Sequence, residues 1–340
     1  MSRIFAKPLC ARDRRRSSKK PLNLGLRRNE LKGYNISLRP SEAKQMENYI
    51  EVKNLCYSYG KHTIYKDLSF TVKRGRIFGL LGKNGVGKTT LINILMGFLR
   101  PVSGRCLVFG EDSYNLSPAT REKIGLLFEG HLAYEFMSIS QIEKFYSSYY
   151  PKWNRDIYYG LVEKMGLSHN HKISKMSCGQ RSQVVLGLTL AQNPKLMILD
   201  DYSMGLDAGY RRLFLDFLVE FVKEGNRTVF VTSHIVQDLE QLVDEVIFLE
   251  KGGNILQTSL ELFMAGFRQY RFEYNERKHI PTSNKIIHNV DIAGNRCSVY
   301  SFESLETVDA YLKESGLVCS VLEDVPMSLE DAFIGLTGKY

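Results

Sequence analysis

Gly82-Lys83-Asn84-Gly85-Val86-Gly87-Lys88-Thr89 is the stretch on which the reading of this chain turns. It has the spacing G-x-x-x-x-G-K-[ST]. An apolar strand-like run, Ile77–Leu81, precedes it, and a helical pattern over Lys88–Phe98 follows, with Leu91, Ile92, Leu95 and Met96 on one face. At ordinary residue frequencies such a match arises by chance about once in a hundred chains of this size, before its strand–loop–helix setting is counted. Glycines let the backbone wrap closely, so that its N–H groups and the helix N-terminus can cradle a polyphosphate. The expected nucleotide contacts are therefore Gly82, Asn84, Gly85, Gly87, Lys88, Thr89 and Thr90, with Lys88 on the β- and γ-phosphates and the Thr89 hydroxyl on Mg²⁺.

A metal held by one hydroxyl needs a carboxylate nearby. Leu196-Met197-Ile198-Leu199-Asp200 is an apolar run ending in an acid, which makes Asp200 the expected metal partner. An acid after a hydrophobic strand is otherwise an ordinary solvated strand end. The phosphate loop earlier in the chain tips the reading towards Mg²⁺.

Around these two stretches, β-rich and helical runs alternate. Ile50–Cys56, Leu68–Val72, Cys106–Phe109 and Ile124–Phe128 read as strands. Residues 138–166 have helical spacing interrupted by Pro151 and read as an inserted helical subdomain. There follow a helix over Gln180–Gln192, a strand at Leu196–Leu199, a helix at Tyr210–Lys223, a strand at Thr228–Thr232, and a strand pair at Val246–Leu249 and Asn254–Gln257. The expected fold class is α/β, a mostly parallel sheet with an antiparallel part. The pattern then changes to strands at Arg271–Tyr274, Lys285–Val290 and Arg296–Tyr300, a helix at Leu305–Ser315, a strand at Val318–Leu322 and a short helix at Ser328–Leu336, a small α+β tail. The expected divisions are an extension over 1–45, an ATPase domain over 46–265 with its helical subdomain at about 130–192, and an accessory domain over 266–340.

The order of motifs resembles the ABC transporter ATPase family from about Tyr49 to Phe263. Met176-Ser177-Cys178-Gly179-Gln180 looks like that family's LSGGQ signature, and it stands shortly before the Asp200 strand. The resemblance implies a P-loop NTPase fold of ABC ATPase type. It also implies that Ser177, Gly179 and Gln180 meet the γ-phosphate held by a second copy, in a head-to-tail sandwich of two ATP molecules. The bland alternative for Ser177 is a helix N-cap. Tyr59 matches the aromatic that stacks on adenine, though a strand aromatic is more often core. His234, in Thr232-Ser233-His234, matches the switch histidine. Asp207, in Met204-Gly205-Leu206-Asp207, matches a residue that contacts the opposite subunit and can equally be an N-cap.

Three departures from the family pattern stand out. Asp201 occupies the position of the usual glutamate base, with Tyr202 following where proline is usual. The carboxylate is one methylene shorter, which makes slow hydrolysis an expectation. Glu129 replaces the glutamine that usually senses Mg²⁺ and the transport partner. Cys178 replaces a signature glycine, the mildest change.

The chain has 340 residues, 44% hydrophobic and 24% charged, enough for one large domain and a smaller one. No apolar run reaches the roughly 18–20 residues that span a bilayer, so a membrane role requires a partner. The six scattered cysteines include no CxxC pair, which fits a reducing compartment and argues against a zinc site or disulfide framework. The formal charge of +9 is concentrated in residues 1–45, which alone carry +10, so the remainder is not basic and no specific nucleic acid is expected. That leader reads as disordered and lacks a secretory apolar core. It is either a dispensable extension ahead of a start at Met46, or a polybasic lipid contact or transit-like peptide.

The function these readings imply is an ATP-binding and ATP-hydrolysing subunit that dimerises on ATP and drives a separate integral-membrane permease from the cytoplasmic face. Tyr149-Tyr150-Pro151-Lys152-Trp153 and the tail from Leu329 to Gly338 resemble ATPases of small export systems that pair with a six-helix permease. A nucleotide-dependent switch with very slow hydrolysis, or a soluble non-transport ABC protein, remain as alternatives.

Overall fold

Strands buried on both faces need continuous apolar sequence, and Ile77–Leu81, Leu196–Leu199 and Thr228–Thr232 meet that requirement with every residue buried. The computed structural model describes residues 48–128, 134–203, 206–273, 282–316 and 321–338, all within one compact unit. The chain runs through β1 (Asn48–Tyr59), β2 (His62–Lys73), β3 (Ile77–Leu81), α1 (Lys88–Leu95), β4 (Ser103–Val108) and β5 (Glu111–Asp112). It continues through α2 (Pro118–Arg121), β6 (Ile124–Leu127), α3 (Ile139–Ser147), α4 (Arg155–Lys164), α5 (Cys178–Ala191), β7 (Leu196–Leu199), α6 (Ala208–Gly225) and β8 (Thr228–Thr232). The remainder is α7 (Val236–Leu242), β9 (Glu245–Leu249), β10 (Ile255–Ser259), α8 (Leu260–Gly266), β11 (Arg268–Glu273), β12 (Asn289–Ala293), β13 (Arg296–Ser301), α9 (Leu305–Glu314), β14 (Glu323–Val325) and α10 (Leu329–Thr337).

The central sheet has the order β10-β9-β3-β8-β7-β6, parallel except where β10 turns back on β9. Successive residues of its strands face opposite layers. Leu80, Ile198, Phe230 and Ile247 join α1 and the first strands on one side, while Leu81, Leu199, Val231 and Phe248 join α5, α6 and α7 on the other. The order brings the C-terminal ends of β3, β7 and β8 side by side, the edge at which loops of such sheets bind ligands. A second, antiparallel sheet has the order β2-β1-β4-β5.

Residues Ile139, Ile142, Tyr158, Val162, Ile173, Met176, Val184 and Leu188 form a separate apolar cluster. Glu143, fully buried within this region, accepts from both Arg155 Nε (3.0 Å) and Nη2 (2.9 Å) and from Trp153 Nε1 (2.9 Å). The break expected at Pro151 falls between α3 and α4, and Asn154 caps α4 through its Oδ1.

The tail forms the antiparallel sheet β12-β13-β11-β14 with its own core of Tyr270, Phe272, Ile287, Cys297, Val299, Val308 and Leu312. Helix α10 is different, because its Leu329, Ala332 and Leu336 enter the core of the central sheet.

Several expected boundaries need correction. Helix α1 ends at Leu95 rather than Phe98, with Gly97 at φ +75 beyond it. The strand expected at Lys285–Val290 begins only at Asn289. Asn284 Oδ1 accepts from the N–H groups of Ile286 (2.7 Å) and Ile287 (3.0 Å), a local turn that outcompetes β propensity. The strand expected at Val318–Leu322 is observed as Glu323–Val325, with 317–320 outside the described residues. The extension 1–45 also lies outside them.

Candidate functional site

The loop between β3 and α1 depends on glycine at the helix start. Gly87 is the N-cap of α1 with φ 110, and a Cβ there would lie 2.5 Å from Tyr65 Oη and 2.6 Å from Ile64 Cγ2. Tyr65 is fully buried, and its hydroxyl donates to the Gly87 carbonyl, which also accepts Leu91 N–H at 2.9 Å. Burial pushes the Tyr65 phenol pKa upward, so it stays a donor. Lys88 Nζ spans the loop, donating to the carbonyls of Gly82 (2.6 Å) and Lys83 (3.3 Å). Burial lowers its pKa, and Asp201 and Asp200 work against that shift. Asp200 and Asp201 directly follow β7, in the same sheet as β3, whose following loop leads to Lys88.

Thr232, the last residue of β8, ties the two acids together. Its hydroxyl donates to Asp200 Oδ1 (3.0 Å) and accepts Asp201 N–H (2.9 Å). Asp200 is buried, which raises its pKa, while hydrogen bonds from the Thr232 and Thr89 hydroxyls oppose the rise. Thr89 and Asp200 thus present a hydroxyl and a carboxylate oxygen together, a hard donor pair suited to a small divalent cation.

Asp201 sits in the left-handed region at φ 49. Its Oδ2 is 2.7 Å from His234 Nε2, and its Oδ1 accepts from His234 N–H and Ser203 Oγ, each at 3.3 Å. Ser203 and Ser233 hydroxyls lie 3.2 Å apart beneath this pair. Acid and histidine, 33 residues apart in sequence, are joined because β7 and β8 are parallel neighbours. A cavity of about 260 Å³ beside the loop is lined by Gly82, Asn84, Ser233, His234, Val236 and, from the tail, Phe333.

The other expected residues stand elsewhere. Ser177 and Gln180 form a reciprocal capping box at the start of α5, Gln180 N–H to Ser177 Oγ at 3.2 Å and Ser177 N–H to Gln180 Oε1 at 3.0 Å. Ser177 and Cys178 are exposed. Gly179 is buried where a Cβ would meet the Tyr210 ring at 2.7 Å. Asp207 caps α6 by accepting Tyr210 N–H at 2.9 Å. Among the described residues, the hydrogen bonds of Ser177, Gln180 and Asp207 run to their own helices and not to the phosphate loop. Tyr59 is 49% exposed and meets Tyr57 edge-on at 5.0 Å, leaving its outer face open to a planar ligand. Glu129 falls outside the described residues. Sequence reading missed Tyr65, Ser203 and Phe333. Ser203 lies two residues from Asp201 and Phe333 within the quoted tail segment Leu329 to Gly338, but neither position was read as part of the site.

A family model described as ABC transporter matches residues 65–203. YdbJ of Bacillus subtilis, an uncharacterized ABC transporter ATP-binding protein, is 30% identical over 217 residues, which is 63% of this chain and 70% of that protein. The Nod factor export ATP-binding protein I of Rhizobium johnstonii is 28% identical over 302 residues, 85% of this chain and 95% of that one. The solved structure of cbiO1 from Clostridium perfringens, part of the ABC transporter complex cbiONQ, superposes with a TM-score of 0.55 at 28% identity, covering 64% of this chain and 91% of that one.

Proposed function

This chain belongs to the ABC transporter ATP-binding proteins, and from that premise we propose that it hydrolyses ATP in a head-to-tail pair, drives a separate integral-membrane permease in export, and turns over slowly. The observation that carries this reading is the 2.7 Å contact between Asp201 and His234, with His234 lining one cavity with Gly82 and Asn84 of the phosphate loop. In the proposed site Lys88 neutralises the β- and γ-phosphates, and the loop N–H groups with the start of α1 bind their oxygens. Tyr59 stacks on adenine. Thr89 and Asp200, with Glu129, would hold Mg²⁺, which would neutralise charge on the phosphates. Asp201 accepts the proton of the attacking water, and His234 orients Asp201 and the γ-phosphate.

Slow turnover follows from where the Asp201 carboxylate is held. It is short, its Oδ1 accepts from His234 N–H and Ser203 Oγ, and its Oδ2 stands 2.7 Å from His234 Nε2, all of which hold it back towards β8. Ser177, Gly179, Gln180 and Asp207 are exposed or terminal positions whose proposed work is on a second copy's nucleotide. Among the described residues no helix is long and apolar enough to cross a membrane. The proposed place is peripheral, at the cytoplasmic face through the permease. The export direction draws on the relative described as a Nod factor export ATP-binding protein. The proposed division places the ATPase domain at 46–265, its helical subdomain at about 130–192, and the accessory domain at 266–340.

The test is ATP-dependent dimerisation. Asp201→Asn should hold ATP without cleaving it, so sedimentation with Mg-ATP should show a dimer that disperses with ADP. A monomer under both conditions refutes the shared-site reading.

A further inference from the structure

The tail is remote in sequence from the phosphate loop and the acid pair, yet one of its side chains reaches the cavity beside that loop. Phe333, on α10, lines the same cavity as Gly82, Asn84 and His234. Its ring stacks on Phe248 with centroids 6.3 Å apart and planes 17° off parallel. Phe248 is the β9 residue paired with Leu81, the residue immediately before Gly82. Phe333 thus stands against the strand that flanks the entry to the phosphate loop.

The same helix bears on the element that follows His234. α7 starts two residues after that histidine and spans only seven residues, and Ile235 at its N-cap makes no side-chain cap bond. A helix this short has no stability of its own, so its position is set by what packs on it. α10 does so at three points. Gln237 Nε2 donates to Glu330 Oε2 at 2.9 Å, Leu329 N–H donates to Glu240 Oε2 at 3.1 Å, and Leu329, Ala332 and Leu336 share a core with Leu239 and Leu242.

We propose that α10, through Phe333 and Glu330, is a positioning element of the ATPase site, holding α7 so that His234 meets Asp201 and bounding the cavity beside the phosphate loop. This inference rests on the ATPase reading above. It makes the tail part of the catalytic apparatus of the same chain, acting through His234 rather than touching the reacting atoms.

Steady-state phosphate release by the full chain with Mg-ATP, kcat and KM resolved separately, tests it on wild type, Phe333→Ala, Phe333→Leu and Glu330→Gln. The expected result is a kcat lowered on the order of tenfold in Phe333→Ala with KM within about twofold, because misplacing a water-orienting group by a fraction of an ångström acts on the transition state. Phe333→Leu restores most of the rate by refilling the cavity wall. Glu330→Gln, which leaves the core intact, lowers kcat less but in the same direction. Wild-type kcat and KM in all three variants would overturn the proposal. So would a rise in KM as large as the fall in kcat. A wild type that hydrolyses no ATP at all would instead overturn the ATPase reading itself.

Discussion

Replacing Asp201 by glutamate tests whether geometry limits the rate. The aspartate carboxylate lies against His234 Nε2 at 2.7 Å with Ser203 Oγ and His234 N–H at 3.3 Å, so its oxygens point back at the β8 end. One more methylene extends the carboxylate by roughly 1.5 Å. Misplacement by about 1 Å costs on the order of 10²-fold in rate, so correcting it can return up to that factor, equivalent to about 2.7 kcal/mol of barrier. A cost opposes the gain, because residue 201 has φ 49 and glutamate tolerates the left-handed region less well than aspartate, by on the order of 1 kcal/mol. Asp201→Glu should therefore raise kcat by ten- to a hundredfold (about 10–10²) with KM little changed and lower Tm by a few degrees. Phosphate release under steady state and a thermal melt measure the two effects. A glutamate variant no faster than wild type, with Tm intact, refutes the argument that the shorter side chain slows the reaction.

Tyr65→Phe keeps the buried ring and removes only the hydroxyl on Gly87, whose carbonyl retains Leu91 N–H; the lost bond is worth about 1 kcal/mol and should weaken ATP binding about fivefold in a nucleotide titration. Unchanged affinity would make Tyr65 a core residue only. Burial raises the Asp200 pKa, so the folded state holds that proton more readily than the unfolded chain does; the stability it contributes is full at acid pH and lost as pH rises through the folded value. Asp200→Asn should therefore raise Tm at neutral pH, with the gain fading in acid, while abolishing Mg²⁺-dependent hydrolysis. Ser177→Ala removes one side of the α5 capping box, costing about 0.5–2 kcal/mol of stability, and should reduce turnover more than ATP binding. Equal losses of both would count against a site shared between two copies.

The elements legible in sequence were those with a local cause. The phosphate loop announced itself through glycine spacing between an apolar strand and a periodic helix. β7 and β8 were readable because buried parallel strands need unbroken apolar runs. Ser177 and Asp207 were readable as caps, since capping is settled within four residues. Errors arose where a local turn overrode strand propensity, as at Asn284, and where short helices such as α7 and α8 carry too few residues to show a period.

What the sequence determined alone was therefore the chemistry of the parts: a lysine and a threonine after a glycine loop, an acid pair after a strand, a histidine after another. Only the tertiary structure decided their company. Parallel pairing of β7 with β8 brought Asp201 to His234 and threaded Thr232 between the two acids. The β2 strand placed Tyr65 under Gly87 from 22 residues away, and a helix at the far end of the chain put Phe333 in the wall of the cavity beside the phosphate loop. Contacts of that kind arise from the burial of a shared core, and burial depends on which faces meet in three dimensions rather than on spacing along the chain.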